Sequence, residues 1–451
     1  MKIQSINPYD QSIYFETTQY TDEQIETCVD LSARVFEAWK KVSLPEKSNY
    51  LLKVAEDLKQ NASVYGEIIT KEVGKPIAQS IAEVEKCAWV CEYYAKNGAH
   101  FLSEKIVDTD ATTSYVKYEP IGCVLAIMPW NYPFWQLFRF LAPTLMVGNV
   151  AILKHASNVS KSALALQEII ERNGIPKGVF QTIIADSKQI STLIENKHIK
   201  AITLTGSEKA GKAVAAKAGS EIKKTVLELG GSNAAIIFED AAIEEAAKTG
   251  AWARFQNTGQ SCIAGKRFIV LEGIYDQFMD QFTKYVASYK IGNPMDESTE
   301  IGPMAREDLA EELEKQLKDA LNKGAKLILG GKRTKAHFEP TIIEGITSEM
   351  RAYSEELFGP VASVIRVKTE KEAIDVANSS AFGLGVSLFS KNPERLTDYI
   401  SELEDGAVFI NDMVKSDPRL PFGGTKISGY GRELSIDGMM EFVNKKTVYI
   451  K

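Results

Sequence analysis

Apolar positions in the first hundred residues recur at helical spacing. The run IETCVDLSARVFEAWKKV follows Thr21, with Gln24 three residues on, the arrangement of a capping box. A second helix is predicted after Pro45 and a third from about Pro76 to Ala99. From residue 112 the period changes. TTSYVKYEPIG reads as a strand, and CVLAIMP as a continuous apolar run of the kind buried in a parallel sheet. Strands then alternate with helices: VAILK, a helix over 160–173 ended by Asn173-Gly174, VFQTII, a helix near 187–196, AITLTG, a helix over 207–219, and KTVLELG. This rhythm predicts a doubly wound parallel sheet with helices on both faces. A second α/β pattern starts after Gly231: AAIIF, a helix over 242–257, RFIVLEG, helices over 274–289 and 306–323, AKLILGG, ASVIRV, a helix over 370–378, and AVFIN. A boundary is therefore placed at Gly230-Gly231.

At 451 residues the chain is long enough for roughly two to three domains. With 44% apolar and 25% charged residues, and no repeat or low-complexity tract, it reads as a globular protein of enzyme size. The net charge is −7 and the basic residues are scattered among acids, so nucleic acid is not an expected partner. The N-terminus lacks a basic segment followed by an apolar one, and no apolar run nears the roughly 20 residues that span a bilayer. No membrane association and a cytoplasmic location are expected. Five cysteines, Cys28, Cys87, Cys91, Cys123 and Cys262, are too few for a disulfide framework. Cys87 and Cys91 have no second Cys or His pair beside them and read as helical core thiols, so no metal is assigned.

Candidate chemistry lies in the loops. LTGSEKAGKA, 204–213, puts two glycines five apart between a predicted strand and a predicted helix, where backbone N–H groups can meet an anion. It nearly matches a P-loop, but Ala213 replaces the hydroxyl that would hold Mg²⁺, and the G-x-G-x-x-G fingerprint is absent. Taken alone, it is equally a plain strand-to-helix turn. NTGQSCIAGKR, 257–267, holds Cys262 in a polar, glycine-containing loop, and the local sequence leaves a buried structural thiol and a nucleophile both open. ELGG at 228–231 places a carboxylate before two glycines; PWNYP at 129–133 places an amide between two prolines. Nucleophile, base and oxyanion donor are thus all available.

PWNYP, LTGSEKAG, ELGG, NTGQSC, EELFGP (355–360) and PFGGTKISGYGRE (421–433), in this order, resemble the motif series of the NAD(P)-dependent aldehyde dehydrogenases across nearly the whole chain. The resemblance implies that Cys262 is the nucleophile, forming a thiohemiacetal and then a thioester. Asn131 would hold the oxyanion, and Glu228 would activate the hydrolytic water. For the cofactor, NADP or NAD, it implies Thr205, Gly206 and Ser207 at the pyrophosphate and Lys154 at the adenine-side ribose. Glu356 and Phe358 would sit at the nicotinamide end, with Trp130 and Leu229 beside them. Where NAD-preferring relatives commonly read K-P-S-E, this chain reads K-H-A-S, so Ser157 replaces a carboxylate that would repel a 2′-phosphate. NADP use, with NAD also possible, is the expectation.

Arg139, eight residues after Asn131, is similar to the carboxylate anchor of succinate-semialdehyde dehydrogenases, and a guanidinium suits a substrate carboxylate. A structural salt bridge is the alternative. Ser416 lies where those enzymes carry a helping serine, and Gln256 stands where a second arginine is usual. KHASN, FQNTGQSC and SDPRLPFGG resemble the short bacterial branch of that group, so succinic semialdehyde is the expected small-molecule substrate. A broad-specificity aldehyde dehydrogenase is the alternative, with a P-loop nucleotide hydrolase more distant. A coenzyme A-acylating enzyme would have no use for Glu228, and a non-enzymatic homologue would not need both Cys262 and Glu228.

The implied architecture is α/β, the aldehyde dehydrogenase fold. It has a Rossmann-like cofactor domain (1–103 and 119–230), an α/β catalytic domain (231–437) and a small β oligomerisation element (104–118 and 438–451). NKKTVYIK at the end is alternating and β-branched and reads as a strand needing a sheet, with a partner subunit as the expected host and a dimer or tetramer as the result.

Overall fold

The computed structural model describes residues 1–451. Thr21 caps the helix Asp22–Trp39 through the predicted box: its side chain accepts from the Gln24 N–H, and the Gln24 side chain accepts from its own. Helices Leu44–Gln60 and Ile77–Phe101 follow as the apolar spacing predicts. A further helix, Ala62–Val73, lies between them; Asn61 closes one helix and opens the next without a side-chain cap to mark the start. The chain opens on a hairpin, Lys2–Ile6 against Ile13–Thr18, rather than on helix.

The first sheet runs, edge to edge, Gly429–Tyr430, Lys224–Glu228, Ile199–Thr205, Cys123–Met128, Val150–His155, Phe180–Ile183. All are parallel except the two-residue edge at Gly429–Tyr430. From Cys123–Met128 the chain builds outward to Phe180–Ile183, then crosses back to Ile199–Thr205 on the other side. The carboxyl ends of Cys123–Met128 and Ile199–Thr205 therefore diverge, and such a reversal opens a crevice for ligands. PWNYP and LTGSEKAG leave from these two strand ends.

The second sheet runs Lys326–Leu329, Thr341–Glu344, Val361–Val367, Gly265–Leu271, Asn233–Ile237, Val386–Phe389, Val408–Ile410, with only the first strand antiparallel. Side chains alternate across it: Ala234 and Ile236 enter one core, Ala235 and Ile237 the other. Two strands, Thr341–Glu344 and Val386–Phe389, escape the sequence pattern because each is four residues of buried chain.

Glu228 ends a strand of the first sheet and Asn233 begins one of the second, so ELGG is the crossing between them. The chain returns before residue 437, since Phe422, Leu434 and Met439 pack into the first core. The C-terminal strand Val443–Ile450 differs from expectation. Its neighbour is Thr113–Pro120 of the same chain, paired antiparallel from Val443 opposite Pro120 to Ile450 opposite Thr113. With Lys105–Ile106 on the other edge these form a three-stranded sheet. No helix is long and apolar enough to cross a membrane.

Candidate active site

The loop after helix Ile243–Phe255 bends sharply: Asn257, Thr258 and Gly259 all take left-handed φ angles, 51°, 54° and 73°. For the two non-glycine residues this is a strained geometry that neighbours must hold. Asn257 Nδ2 donates to the Asn131 carbonyl at 2.9 Å, and Thr258 Oγ1 donates to the Gly302 carbonyl at 3.1 Å. Arg254, fully buried, donates to the carbonyls of Val361, Leu357 and Gly359. Beyond the cysteine, buried Lys266 donates to the carbonyls of Ser261 and Cys262, at 2.7 and 2.8 Å, and pairs with Glu356 at 2.9 Å. Opposite, the Cys262 carbonyl presses on Gly231, where a Cβ would lie 2.7 Å from it.

So held, Cys262 stands where two cavities meet. One is lined by Trp130, Asn131, Thr205, Gly206, Ser207, Leu229, Glu356 and Phe358, all named in the sequence reading. The rings of Trp130 and Phe358 meet edge-on at 5.7 Å. The other is walled by Tyr132, Trp135, Arg139, Gln256, Ser416 and Phe422, with Lys86 from the helix Ile77–Phe101.

On the first side the two glycines act differently. The Gly206 N–H is spent on the Glu228 carbonyl, whereas Gly211 lets its helix approach Leu229, whose side chain would lie 2.6 Å from an added Cβ. Ser207 caps the helix Glu208–Ser220, accepting from the Ala210 N–H at 3.3 Å; its own hydroxyl proton stays free to donate. Glu356 is anchored from a second direction by the Gly231 N–H. Lys154 and Ser157 lie outside this cavity's wall, at the end of strand Val150–His155 and the turn that follows, with Ser157 exposed. Between them His155 is kept neutral by burial, its pKa pushed down to about 4, and its Nε2 meets the Pro133 carbonyl at 2.9 Å. That bond ties KHAS to PWNYP.

Asn131 is oriented from both ends: its Oδ1 accepts from Gln136 Nε2 at 2.9 Å, and one Nδ2 hydrogen goes to the Gln260 carbonyl at 3.0 Å. The second amide hydrogen remains for a ligand. Burial pushes the Cys262 thiol up to about 11, against the pull of Arg139 and Lys266. Glu228 lies behind the wall, lining neither cavity, with one carboxylate oxygen near Gly423. Neither of its oxygens accepts a hydrogen bond, and burial, then the Glu433 carboxylate, holds its pKa well above the usual range.

Arg139 stands on the wall of the second cavity, as expected. Its guanidinium reaches the cavity wall but is already engaged: it pairs with Glu433, donates to Thr205 Oγ1 at 3.1 Å and lies over the Phe422 ring at 4.7 Å. The alternative of a structural salt bridge is thus formed, and Nη1 keeps its hydrogens on a cavity wall shared with Gln256 and Ser416. Ser416 accepts from Trp135 Nε1 at 3.0 Å and from Lys86 Nζ at 2.9 Å; Gln256 contacts Met413 Sδ. Sequence reasoning missed Gln136, Lys266 and Lys86, whose roles appear only when distant segments meet.

A thiol between a polar, glycine-shaped crevice and an aromatic cavity, with an amide donor beside it, is an arrangement that suits an enzyme forming a covalent adduct with a carbonyl. The family model for the aldehyde dehydrogenase family matches residues 1–448, and the chain belongs to that family. It is 44% identical, over the full length of both chains, to a protein of Synechocystis sp. named probable succinate-semialdehyde dehydrogenase [NADP(+)]. It is 43% identical, again over both full lengths, to succinate-semialdehyde dehydrogenase [NADP(+)] 1 of Mycobacterium tuberculosis H37Rv. Among solved structures, the succinic semialdehyde dehydrogenase of Streptococcus pyogenes in complex with NADP+ superposes with a TM-score of 0.97, at 38% identity and 99% coverage of each chain. The P-loop reading falls with this assignment.

Proposed function

We propose that the protein oxidises succinic semialdehyde to succinate with NADP, and less well NAD, as hydride acceptor. The observation that carries this is the meeting of the two cavities at Cys262, one walled by Ser207 and Glu356 and the other by the Lys86 cation and the Ser416 hydroxyl. The named relatives point to the same substrate and cofactor. The donor set fits a dinucleotide: Ser207 keeps a hydroxyl proton for a phosphate at a helix N-terminus, and Glu356, held by Lys266 and Gly231, offers a fixed acceptor for ribose hydroxyls. Exposed Ser157 leaves room for a 2′-phosphate without a repelling carboxylate, and Lys154 precedes it near the end of the strand Val150–His155.

Cys262 gives its proton to solvent water and its sulfur attacks the aldehyde carbon; the carbonyl pair moves to oxygen, and the oxyanion is received by the second amide hydrogen of Asn131 and by the backbone around the thiol. Ser207 and Glu356 would hold a dinucleotide in the polar crevice, which would supply the hydride acceptor; loss of hydride from the adduct carbon re-forms the carbonyl and leaves a thioester on Cys262. Rotation of the Glu228 side chain brings the carboxyl out from behind the wall and away from Glu433, where it ionises and takes a proton from water as the water attacks the thioester. Hydrolysis returns the thiol and releases the acid. Among proteins of this family, a coenzyme A acceptor would leave Glu228 without a task. Aromatic lining by Tyr132, Trp135 and Phe422 favours a second reading, oxidation of other aldehydes as well.

The reading also includes a three-region division, with the crossing at ELGG, and a cytoplasmic homo-oligomer. Supporting it are five unpaired cysteines, suited to a reducing compartment, and exposed Ile106, Tyr449 and Ile450 on the three-stranded sheet. The test is the initial rate of nicotinamide reduction, with succinic semialdehyde and hexanal each tried against NAD and NADP, for wild type and Cys262→Ala. Wild-type turnover of succinic semialdehyde with NADP, lost in the variant, is the expected result. Turnover of hexanal alone would overturn the substrate.

A further inference from the structure

We infer that Lys86, held by Ser416 over the Trp135 ring, is the group that binds the carboxylate of the substrate at the end of the cavity remote from the dinucleotide. The inference rests on the acid-bearing substrate proposed above and names the residue that selects it.

The argument starts from the charges on the cavity wall. Three cations other than Lys86 stand near, and each has its counter-ion: Arg139 is paired with Glu433, Lys415 with Asp412, and Lys75, beneath Tyr132, with Glu83. The carboxylates that could neutralise Lys86 are committed elsewhere. Glu83 also accepts from the backbone N–H groups of Phe134 and Trp135, and Asp417 accepts from Arg419 through both oxygens. Lys86 is left with a hydroxyl, Ser416 Oγ at 2.9 Å, and a ring face, Trp135 at 4.3 Å.

That arrangement has spare donors and no spare acceptors. An ammonium carries three N–H groups, of which one is used on Ser416. The Ser416 oxygen accepts from both Lys86 and Trp135 Nε1, which turns its own hydroxyl proton outward. Two ammonium hydrogens and one hydroxyl hydrogen are thus left without partners on residues of different elements that line the cavity shared with Cys262. A carboxylate is the acceptor that satisfies them, and a partly buried ion pair of this kind is stronger than one in water. The helix Ile77–Phe101 brings Lys86 here on the face that also presents Gln79, Ala82 and Glu83 to the cavity.

The experiment compares kcat/KM for succinic semialdehyde and for hexanal in wild type, Lys86→Met, Lys86→Arg and Arg139→Leu, with thermal melting of each preparation. The expected result is a preference for the acid-bearing aldehyde that falls at least tenfold in Lys86→Met, chiefly through KM, and is largely kept in Lys86→Arg. Arg139→Leu should slow both aldehydes alike. An unchanged preference in a folded Lys86→Met, or equal loss in the methionine and arginine variants, would overturn the role of Lys86 while leaving the substrate standing. A selective loss in Arg139→Leu alone would give the anchor to the arginine instead. A wild type that turns over hexanal but not succinic semialdehyde would overturn the substrate reading and this anchor with it.

Discussion

The two cavities that meet at Cys262 are built by different means. On the dinucleotide side the wall is shaped by backbone: Gly230 and Gly231 admit Glu356 and the Cys262 carbonyl, and Gly211 admits Leu229. Each of these approaches would be blocked by a single Cβ, and each sits inside a short contiguous motif. On the substrate side the wall is shaped by side chains from helices, loops and the C-terminal segment, and its character depends on which charges find partners. The backbone-built half thus fixes the chemistry, whereas the side-chain-built half selects the molecule.

If that division holds, changing the shared centre should cost both aldehydes equally. Asn131→Ala removes the oxyanion donor, and a loss of about 10²–10³ in kcat is expected for succinic semialdehyde and hexanal alike. Steady-state rates with both aldehydes check it; a loss confined to one would place Asn131 in substrate choice rather than in chemistry. For dinucleotide choice, outside the glycine-shaped wall, Ser157→Glu should raise the KM for NADP by roughly ten- to a hundredfold through like-charge contact, with a smaller change for NAD. Parallel KM measurements with the two dinucleotides decide this, and equal shifts would remove Ser157 from the discrimination.

Legibility in the sequence follows the same line. ELGG and NTGQSC are legible as members of a motif series, and their glycines answer to close approaches: a Cβ at Gly231 would lie 2.7 Å from the Cys262 carbonyl, and one at Gly259 2.5 Å from the Gly359 carbonyl. Most of the parallel strands are readable as apolar runs, but Thr341–Glu344 and Val386–Phe389, four residues each, are not. Neither is the opening hairpin, since Lys2–Ile6 and Ile13–Thr18 bury little and show no clean alternation. Nor is the state of Arg139. Its partner Glu433 lies at the far end of the chain, so whether the guanidinium is free or paired is a property of the fold. Lys86 reads in sequence as one more charge on an amphipathic helix, and only the commitment of Glu83 and Asp417 to other donors leaves it unpaired.

The smallest effect tests the substrate side most finely, through pH. Burial, then the repulsion of Arg139, pushes the Lys86 ammonium down to about 8, while Cys87, Asp417 and Glu83 pull the other way. The cation that binds the carboxylate is therefore present below that value and lost as pH rises through it. Succinic semialdehyde keeps its own carboxylate ionised throughout, and hexanal has none. Ionisation of Cys262, pushed up to about 11, affects both aldehydes in the same direction and cancels when their kcat/KM values are divided. The ratio of the acid-bearing to the neutral aldehyde should then fall severalfold between about pH 7 and about pH 9.5, with its midpoint near the lysine. In Lys86→Arg, which keeps its charge over this range, the ratio should stay level. A ratio that falls equally in the arginine variant would mean that another group, and not Lys86, carries the charge the carboxylate meets.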